Sequence, residues 1–206
     1  MNLEGRIVYR IETPRLTLRC WSPGDAPALR AALDNSAQHL RPWIPFMKDE
    51  PRALAETVNW LREIRAMFDR SEHFRFGVFL KDGTLVGENM LLQRVGPDAF
   101  EIGYLTLLGF EGKGFASEAS SAMVRLAFEH YGARRLEIHH AAMNEASAGI
   151  PRRLGFAHEA TLREHFDDTE GTPHDAWIWC LHRVDYPGTP SAALEMDLFD
   201  PMDEEI

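Results

Sequence analysis

The residues best suited to chemistry lie in the glycine-rich stretch GFEGKGFAS at 109–117. Gly112 and Gly114 allow a ligand to approach the backbone closely, and Lys113 places a positive charge between them. The apolar residues that follow, up to about Tyr131, recur at helical spacing and predict an amphipathic helix. The first amides of a helix have no internal partner and carry partial positive charge. The stretch therefore predicts an anion site, suited to a phosphate, at 113–117.

Two common nucleotide-binding motifs do not fit this stretch. A dinucleotide fingerprint needs a third glycine where Ser117 stands, and an acidic residue that closes the next strand, whereas Glu137 falls at the wrong end of that strand. The phosphate-binding loop of nucleoside triphosphatases needs Lys and then Ser or Thr after its second glycine, but Phe115 and Ala116 follow Gly114. The sequence therefore disfavours a nucleotide-dependent enzyme.

The elements that position this stretch predict a mixed sheet. A strand from Phe100 to about Leu108 precedes the turn, and a strand from Arg134 to Ala142 follows the helix. Because a helical crossover joins these strands, they should be parallel. The other expected elements are strands at 13–20, 74–80, 84–94, 156–166 and 175–184, and helices at 23–35, 51–68 and 144–154, with Pro151 tolerable only near the first turn of the last helix. The order predicts an α/β fold of the α+β type, mostly antiparallel with one parallel strand pair.

Composition favours a single domain. A chain of 206 residues with 45% apolar content can bury one core, so we expect one domain at 1–186 and an acidic, partly ordered tail at 187–206. The formal net charge of −10 argues against a nucleic-acid partner and suits an amine-bearing substrate, although a solvated acidic surface is the favoured explanation of the charge. Neither a membrane span nor the apolar core of a signal peptide is evident, so we expect no membrane association and a cytoplasmic location.

The cysteines and paired histidines do not form a recognisable metal motif. Cys20 and Cys180 each lie in an apolar, strand-like run, which is typical of small buried thiols in a reducing compartment. His139 and His140 adjoin in one strand and lack the spacing of a helix-borne metal site, so we interpret them as structural or substrate-lining. No metal is expected.

The pattern Gly112-x-Gly114-x-Ala116, preceded by EIGYLT and followed by SEA, resembles the GNAT family of N-acetyltransferases. TPRLTLR near the start, EIGYL, GKGFASEA, then Asn144, Ser147 and RLGF at 153–156 together resemble the branch that acetylates the N-termini of ribosomal proteins. The resemblance covers about residues 12–182. Each motif is short, but their order and spacing are specific.

The resemblance implies a fold and a co-substrate site. In this family, helices cover both faces of the sheet, and acetyl-CoA binds where two adjacent parallel strands splay apart. By position, the residues that would meet the pyrophosphate through backbone amides are Gly112, Lys113, Gly114, Phe115, Ala116 and Ser117. Those whose backbone would pair with the pantetheine arm are Tyr104, Leu105, Thr106 and Leu107. Asn144 and Ser147 would lie across the cleft, near the thioester.

Two positions depart from the family pattern. Glu111 stands where Arg or Gln is usual, and its charge would oppose a nearby pyrophosphate, an effect that Lys113 and the helix amides would offset. Pro151 stands where many members have a Tyr that protonates the departing thiolate. Ser147 is the candidate for hydrogen bonding that thiolate, and helix capping or packing is its alternative role.

Candidates for the general base are Glu88 and Glu101, either of which could act through a water, with Glu164 as a weaker candidate. An ordinary structural role, as exposed strand glutamates paired across a hairpin, is the alternative for at least one of them. Strand alternation does not decide between these residues, because it does not reveal which face of the sheet is active.

The sequence thus suggests an acetyl-CoA-dependent N-acetyltransferase in which an amine attacks directly within a ternary complex. The acceptor would be the primary amine of a protein N-terminus or of a small molecule, including an antibiotic. A catalytically inactive acetyl-CoA-binding module is the alternative. HLRPWIPF at 39–46 and DDTEGTPH at 167–174 are the loop-like segments expected to choose the acceptor, and the final hairpin is a candidate homodimer surface.

Overall fold

The computed structural model describes residues 7–206, so the first six residues of the expected 1–186 domain lie outside the described part. Its strands are β1 (Arg10–Glu12), β2 (Leu16–Cys20), β3 (His73–Leu80), β4 (Leu85–Leu92), β5 (Ala99–Thr106), β6 (Arg135–Ala141), β7 (Ala157–Asp167), β8 (Pro173–His182) and β9 (Asp197–Phe199). Its α-helices are α1 (Ala26–Leu40), α2 (Leu54–Asp69), α3 (Phe115–Arg125) and α4 (Glu145–Leu154). The expected elements are therefore all present, with shifted ends.

One mixed sheet carries the strands in the order β7-β8-β6-β5-β4-β3-β2-β1-β9. The β5–β6 pair is parallel, and every other neighbouring pair in residues 7–206 is antiparallel. A helical crossover through α3 joins the parallel strands, which confirms the predicted fold class.

Local sequence explains most element boundaries. In β2 the alternating residues Leu16, Leu18 and Cys20 are buried, as predicted for a half-buried strand. Ser22 and Asp25 form a capping box before α1, which runs to Leu40 rather than ending near residue 35.

The starts and ends of α2 and α3 differ from the expected ones. The first residue of α2 is Leu54 rather than Pro51, because the Glu56 carboxylate accepts from the Ala53 amide and thereby fixes the helix start. In α3 the α-helical part ends at Arg125, and a π-helical turn at 126–130 continues it to the predicted end near Tyr131.

Helices cover both faces of the sheet, as expected. Phe100 and Ile102 of β5 lie in the core that contains α3 and α4, together with Phe68 from the end of α2. Leu105 and Leu107 lie in the core on the other face, with α1 and the remaining buried apolar residues of α2. Because successive strand residues alternate between faces, β5 contributes to both cores.

The C-terminal segment is more structured than the expected partly ordered tail. Two short 3₁₀ turns lead into β9, which pairs with β1 and extends the sheet. Leu194, Met196 and Leu198 pack against the main core, and this alternation within an acidic segment is the sequence signal for the added strand. Among residues 7–206, no helix has both the length and the apolar character that crossing a bilayer requires.

Candidate functional site

The parallel strands β5 and β6 separate after a short paired region. Their pairs are Ala99 with Arg135, Phe100 with Leu136, and Glu101 with Glu137. Beyond these pairs, β5 pairs only with β4 and β6 only with β8 within the described chain. Main-chain groups on the facing sides therefore lack strand partners, and an extended ligand between them could supply these partners.

Strand alternation divides the four residues expected to contact a pantetheine arm. The Leu107 amide donates to the Val86 carbonyl at 2.9 Å, so the main-chain groups of Leu107 and, two residues earlier, Leu105 point to β4. Those of Tyr104 and Thr106 point to the separated side. Only half of the predicted set thus offers free backbone groups to the cleft.

The glycine-rich turn presents free amides at the start of α3. Gly109, Gly112 and Gly114 have φ of +87°, +70° and +81°, in the left-handed region that favours glycine. Within residues 7–206, no acceptor engages the backbone amides of residues 112–117. These six amides are the ones that the family resemblance assigns to a pyrophosphate, and their arrangement suits an anion.

Two arginines brace this turn from opposite sides. Arg15 donates from Nε to Glu118 at 2.5 Å and from Nη1 to the Lys113 carbonyl at 3.0 Å. Arg153, on α4, donates to the Ser117 hydroxyl at 2.6 Å. Sequence reasoning missed both arginines, because their partners lie 98 and 36 residues away along the chain. They add positive charge beside the helix start.

Glu111 has a role within the turn that the sequence did not reveal. Its carboxylate accepts from the Gly109 amide at 2.6 Å and lies 3.3 Å from His39 Nε2, near the end of α1. The carboxylate therefore helps to close the turn, and its negative charge faces the Gly109 amide and the His39 ring.

Pro151 lies in the interior of α4, beyond the first turn to which the sequence analysis limited a tolerable proline. Because proline has no N–H, the Ser147 carbonyl lacks its usual helical donor. The Tyr104 hydroxyl donates to that carbonyl at 3.1 Å and lies 2.8 Å from the Ser147 hydroxyl oxygen. Burial raises the pKa of Tyr104, so its phenol stays protonated. Sequence reasoning assigned only the backbone of Tyr104 and missed this side-chain contact.

Asn144 caps α4, with its side-chain oxygen accepting from the Ser147 amide at 3.0 Å. This contact brings Asn144, Ser147 and Tyr104 together, linking the start of α4 to β5. Ser147 is half-buried and retains a hydroxyl that a ligand could reach.

Glu88 is buried, so the exposed position suggested as the alternative does not apply to it, although it is paired across the β3–β4 hairpin. Arg75 donates to both of its carboxylate oxygens, at 2.8 and 2.6 Å, and Trp21 Nε1 donates to one of them at 2.7 Å. A carboxylate held by three donors in the core is suited to a structural role rather than to accepting a proton.

Glu101 is also buried, and Arg94 binds both of its oxygens at 2.6 and 2.5 Å. His139 lies beside it, with Nδ1 3.6 Å from a Glu101 oxygen and Nε2 2.6 Å from Glu137. Glu101 and Glu137 form the last parallel pair, so His139 stands where the strands begin to separate.

The two remaining titratable candidates lie in contrasting places, His140 in the core and Glu164 on the surface. His140 is buried, accepting from Trp179 at Nε2 (2.9 Å) while Nδ1 donates to the Ala141 carbonyl (2.8 Å), and burial lowers its pKa. These contacts agree with the structural interpretation of His140. Glu164 is exposed in the β7–β8 hairpin, where its amide donates to Asp175.

The two loop-like segments have defined contacts. Phe46, in the first segment, packs on Trp60 of α2 at a centroid distance of 5.2 Å, and the Arg75 guanidinium lies 5.1 Å from the Trp60 ring. The second segment closes the β7–β8 hairpin, where Asp168 lies 3.0 Å from His174. The first segment is therefore linked to the arginine that holds Glu88.

Known proteins are similar to this chain in sequence and in fold. The family described as "Acetyltransferase (GNAT) domain" matches residues 15–157. YdaF of Bacillus subtilis (strain 168), provisionally named a ribosomal N-acetyltransferase, is 30% identical over 175 residues, or 84% of this chain and 94% of YdaF. RimJ of Mycobacterium smegmatis, solved with a CoA-disulfide, has a TM-score of 0.77 at 20% identity, covering 90% of this chain and 91% of RimJ. MccE, a microcin self-immunity acetyltransferase solved with acetyl-CoA and AMP, has a TM-score of 0.74 at 16% identity, covering 82% and 93%.

Proposed function

Because the chain belongs to the GNAT family of acetyltransferases, we propose that it transfers the acetyl group of acetyl-CoA to the primary amine of a protein N-terminus. The observation that carries the proposal is the separation of β5 from β6 beside a helix start with free amides. The provisional name of YdaF supports a ribosomal protein as acceptor, and a small-molecule amine is the second candidate.

The turn and the separated strands would hold acetyl-CoA by different means. The amides of residues 112–117, together with Lys113, Arg15 and Arg153, supply donors and positive charge for phosphates. The free main-chain groups of Tyr104 and Thr106 would pair with amide groups of the pantetheine arm. The acyl group would then lie near the half-buried Ser147 hydroxyl.

Direct acetyl transfer needs a neutral amine. We assign His139 as the group that takes the proton, because both carboxylates predicted from sequence are held by arginine. Donation from His139 Nε2 to Glu137 leaves Nδ1 as the proton acceptor. The amine nitrogen attacks the thioester carbon, the carbon–sulfur bond breaks, and the proton passes to His139.

The leaving thiolate would be stabilised by the Ser147 hydroxyl. Tyr104 is a positioning residue in this scheme. Its phenol proton goes to the carbonyl freed by Pro151, and its oxygen accepts from the Ser147 hydroxyl, which turns its proton to the sulfur as the thiolate forms. A protonated, buried phenol is a fixed donor throughout the reaction.

Replacing Tyr104 with Phe should separate these two effects. Tyr104→Phe should destabilise the protein by about 1–3 kcal/mol, because the Ser147 carbonyl loses its donor. It should also lower kcat roughly tenfold with acetyl-CoA affinity unchanged. Adding Pro151→Ala restores an N–H for the carbonyl, so the double variant should regain melting temperature but not kcat. Recovery of both quantities would mean that Tyr104 acts on stability alone.

Lys113 provides a test of the phosphate site. Lys113→Glu should weaken acetyl-CoA binding roughly 5- to 30-fold by calorimetry, with a smaller effect at high salt, because it reverses a charge beside the proposed pyrophosphate. Lys48→Glu makes the same change at an exposed residue near α1 and should leave the affinity unchanged. Equal effects of the two variants would point to net charge rather than to a local contact.

A thiol-release assay tests the whole proposal. The acceptors are peptides with free N-terminal Ser or Ala, the same peptides with a blocked N-terminus, and a polyamine antibiotic. We expect turnover only with free peptides, whereas turnover only with the antibiotic would support the second candidate. Measurable acetyl-CoA binding without turnover of any amine would support a non-catalytic module, and absence of both would reject the assignment. Homodimer formation and a cytoplasmic location stay predictions.

A further inference from the structure

Cys180 has polar neighbours that its apolar sequence context does not suggest. It is buried in β8, yet its sulfur lies 3.6 Å from His182 Nε2. A Glu159 carboxylate oxygen joins them, and the three potential ligand atoms all lie within 4.8 Å of one another. Cys180 and His182 share a face because they are two residues apart in one strand.

An irregularity in β7 brings Glu159 to this position. Strand pairing shifts between His158, which pairs with Trp179, and Ala160, which pairs with Ile178, so Glu159 is the extra residue of a bulge next to the pair of Ala157 with Cys180. Bulges commonly re-aim a side chain. Glu159 and His182 are exposed while the thiol is buried, so a solvent ion could reach the cluster from outside the sheet.

The geometry points to a Zn²⁺ site with Glu159, Cys180 and His182 as its protein ligands and a fourth position left for water. Thiolate, imidazole and carboxylate are the donors that zinc takes. Zinc–sulfur and zinc–nitrogen bonds of about 2.3 and 2.05 Å at a tetrahedral angle separate the two ligand atoms by about 3.6 Å. This matches the observed sulfur–nitrogen distance. None of the residues assigned to acetyl transfer is a ligand, so the site is independent of the proposed function.

Binding would require loss of the thiol proton. Burial and the neighbouring Glu159 raise the pKa of Cys180 to about 12, so the metal-free thiol is protonated and zinc must displace that proton. A thiol–imidazole hydrogen bond without metal would give a similar sulfur–nitrogen distance, and an experiment must distinguish these two states. A bound zinc ion would cross-link the edge strand β7 to β8 at the bulge.

Cobalt substitution provides the test. Tag-free, metal-stripped full-length protein is titrated with Co²⁺, which reports a thiolate ligand by a charge-transfer band and a tetrahedral site by its visible bands. We expect saturation at one equivalent and displacement by Zn²⁺. Cys180→Ser should abolish the charge-transfer band, and Cys20→Ser, the matched change at the other buried cysteine, should retain it.

The exposed ligands give variants that should fold normally. Glu159→Gln and His182→Ala should each weaken Zn²⁺ affinity at least roughly tenfold in competition with a chelator, with circular dichroism unchanged. Absence of a saturable band in the wild type, persistence of the band in Cys180→Ser, or unchanged affinity in both exposed-ligand variants would each overturn the assignment.

Discussion

Glu88→Gln is expected to lower the free energy of unfolding by about 3–5 kcal/mol. The substitution keeps the shape of the side chain and an acceptor for Trp21, but it removes the charge that compensates the largely buried Arg75 guanidinium. For a chain of this size the loss corresponds to a fall in melting temperature of roughly 6–20 °C, measurable by scanning calorimetry.

An exposed pair offers a matched control for Glu88. Arg70 binds Glu72 with the same two-bond geometry, but both side chains are about half exposed, at 56% and 48%. Glu72→Gln should therefore leave the melting temperature nearly unchanged, since exposed pairs contribute little. If Glu88→Gln melted like the wild type and lost most of its activity, Glu88 would be the general base that the sequence proposed.

His139→Gln is expected to reduce kcat/KM roughly 100-fold, the lower end of what a general base contributes. Glutamine can still donate to Glu137, so the change removes the proton acceptor with little effect on packing. Acetyl-CoA affinity should be unchanged, because the proposed phosphate contacts lie elsewhere, at residues 112–117. Steady-state kinetics with a free-amine peptide, together with calorimetry for acetyl-CoA, measure the two quantities.

Two further variants decide between His139 and Glu101. His165 is an exposed histidine of β7 to which no part in binding or catalysis is assigned, so His165→Gln should leave kcat/KM unchanged. Glu101→Gln should reduce kcat/KM less than His139→Gln, because Glu101 is bound by Arg94 and acts in this scheme only on its neighbour. A larger loss in Glu101→Gln, with folding intact, would restore Glu101 as the base.

Local patterns predicted much of the fold. Three features depend on residues within about 40 positions of one another: the glycine turn, the helix after it and the parallel crossover. They can therefore be predicted from the local sequence pattern. Element ends shifted where a side chain fixed the cap, as Glu56 in the first turn of α2 does by accepting from the Ala53 amide. The ninth strand was missed because an acidic composition concealed the alternation of Leu194, Met196 and Leu198.

Like the fold, the candidate site has one part that the sequence predicts and another that only the tertiary structure reveals. The sequence by itself determined the glycine turn and the helix start that offers free amides, because backbone amides at a helix start do not depend on distant partners. Only the tertiary structure decided that Glu88 and Glu101 are held by arginines, that Tyr104 satisfies a carbonyl freed by Pro151, and that Glu159 meets Cys180 and His182. Those contacts depend on the strand register across hairpins, on a bulge and on the contact of α4 with β5, none of which the local residue pattern specifies.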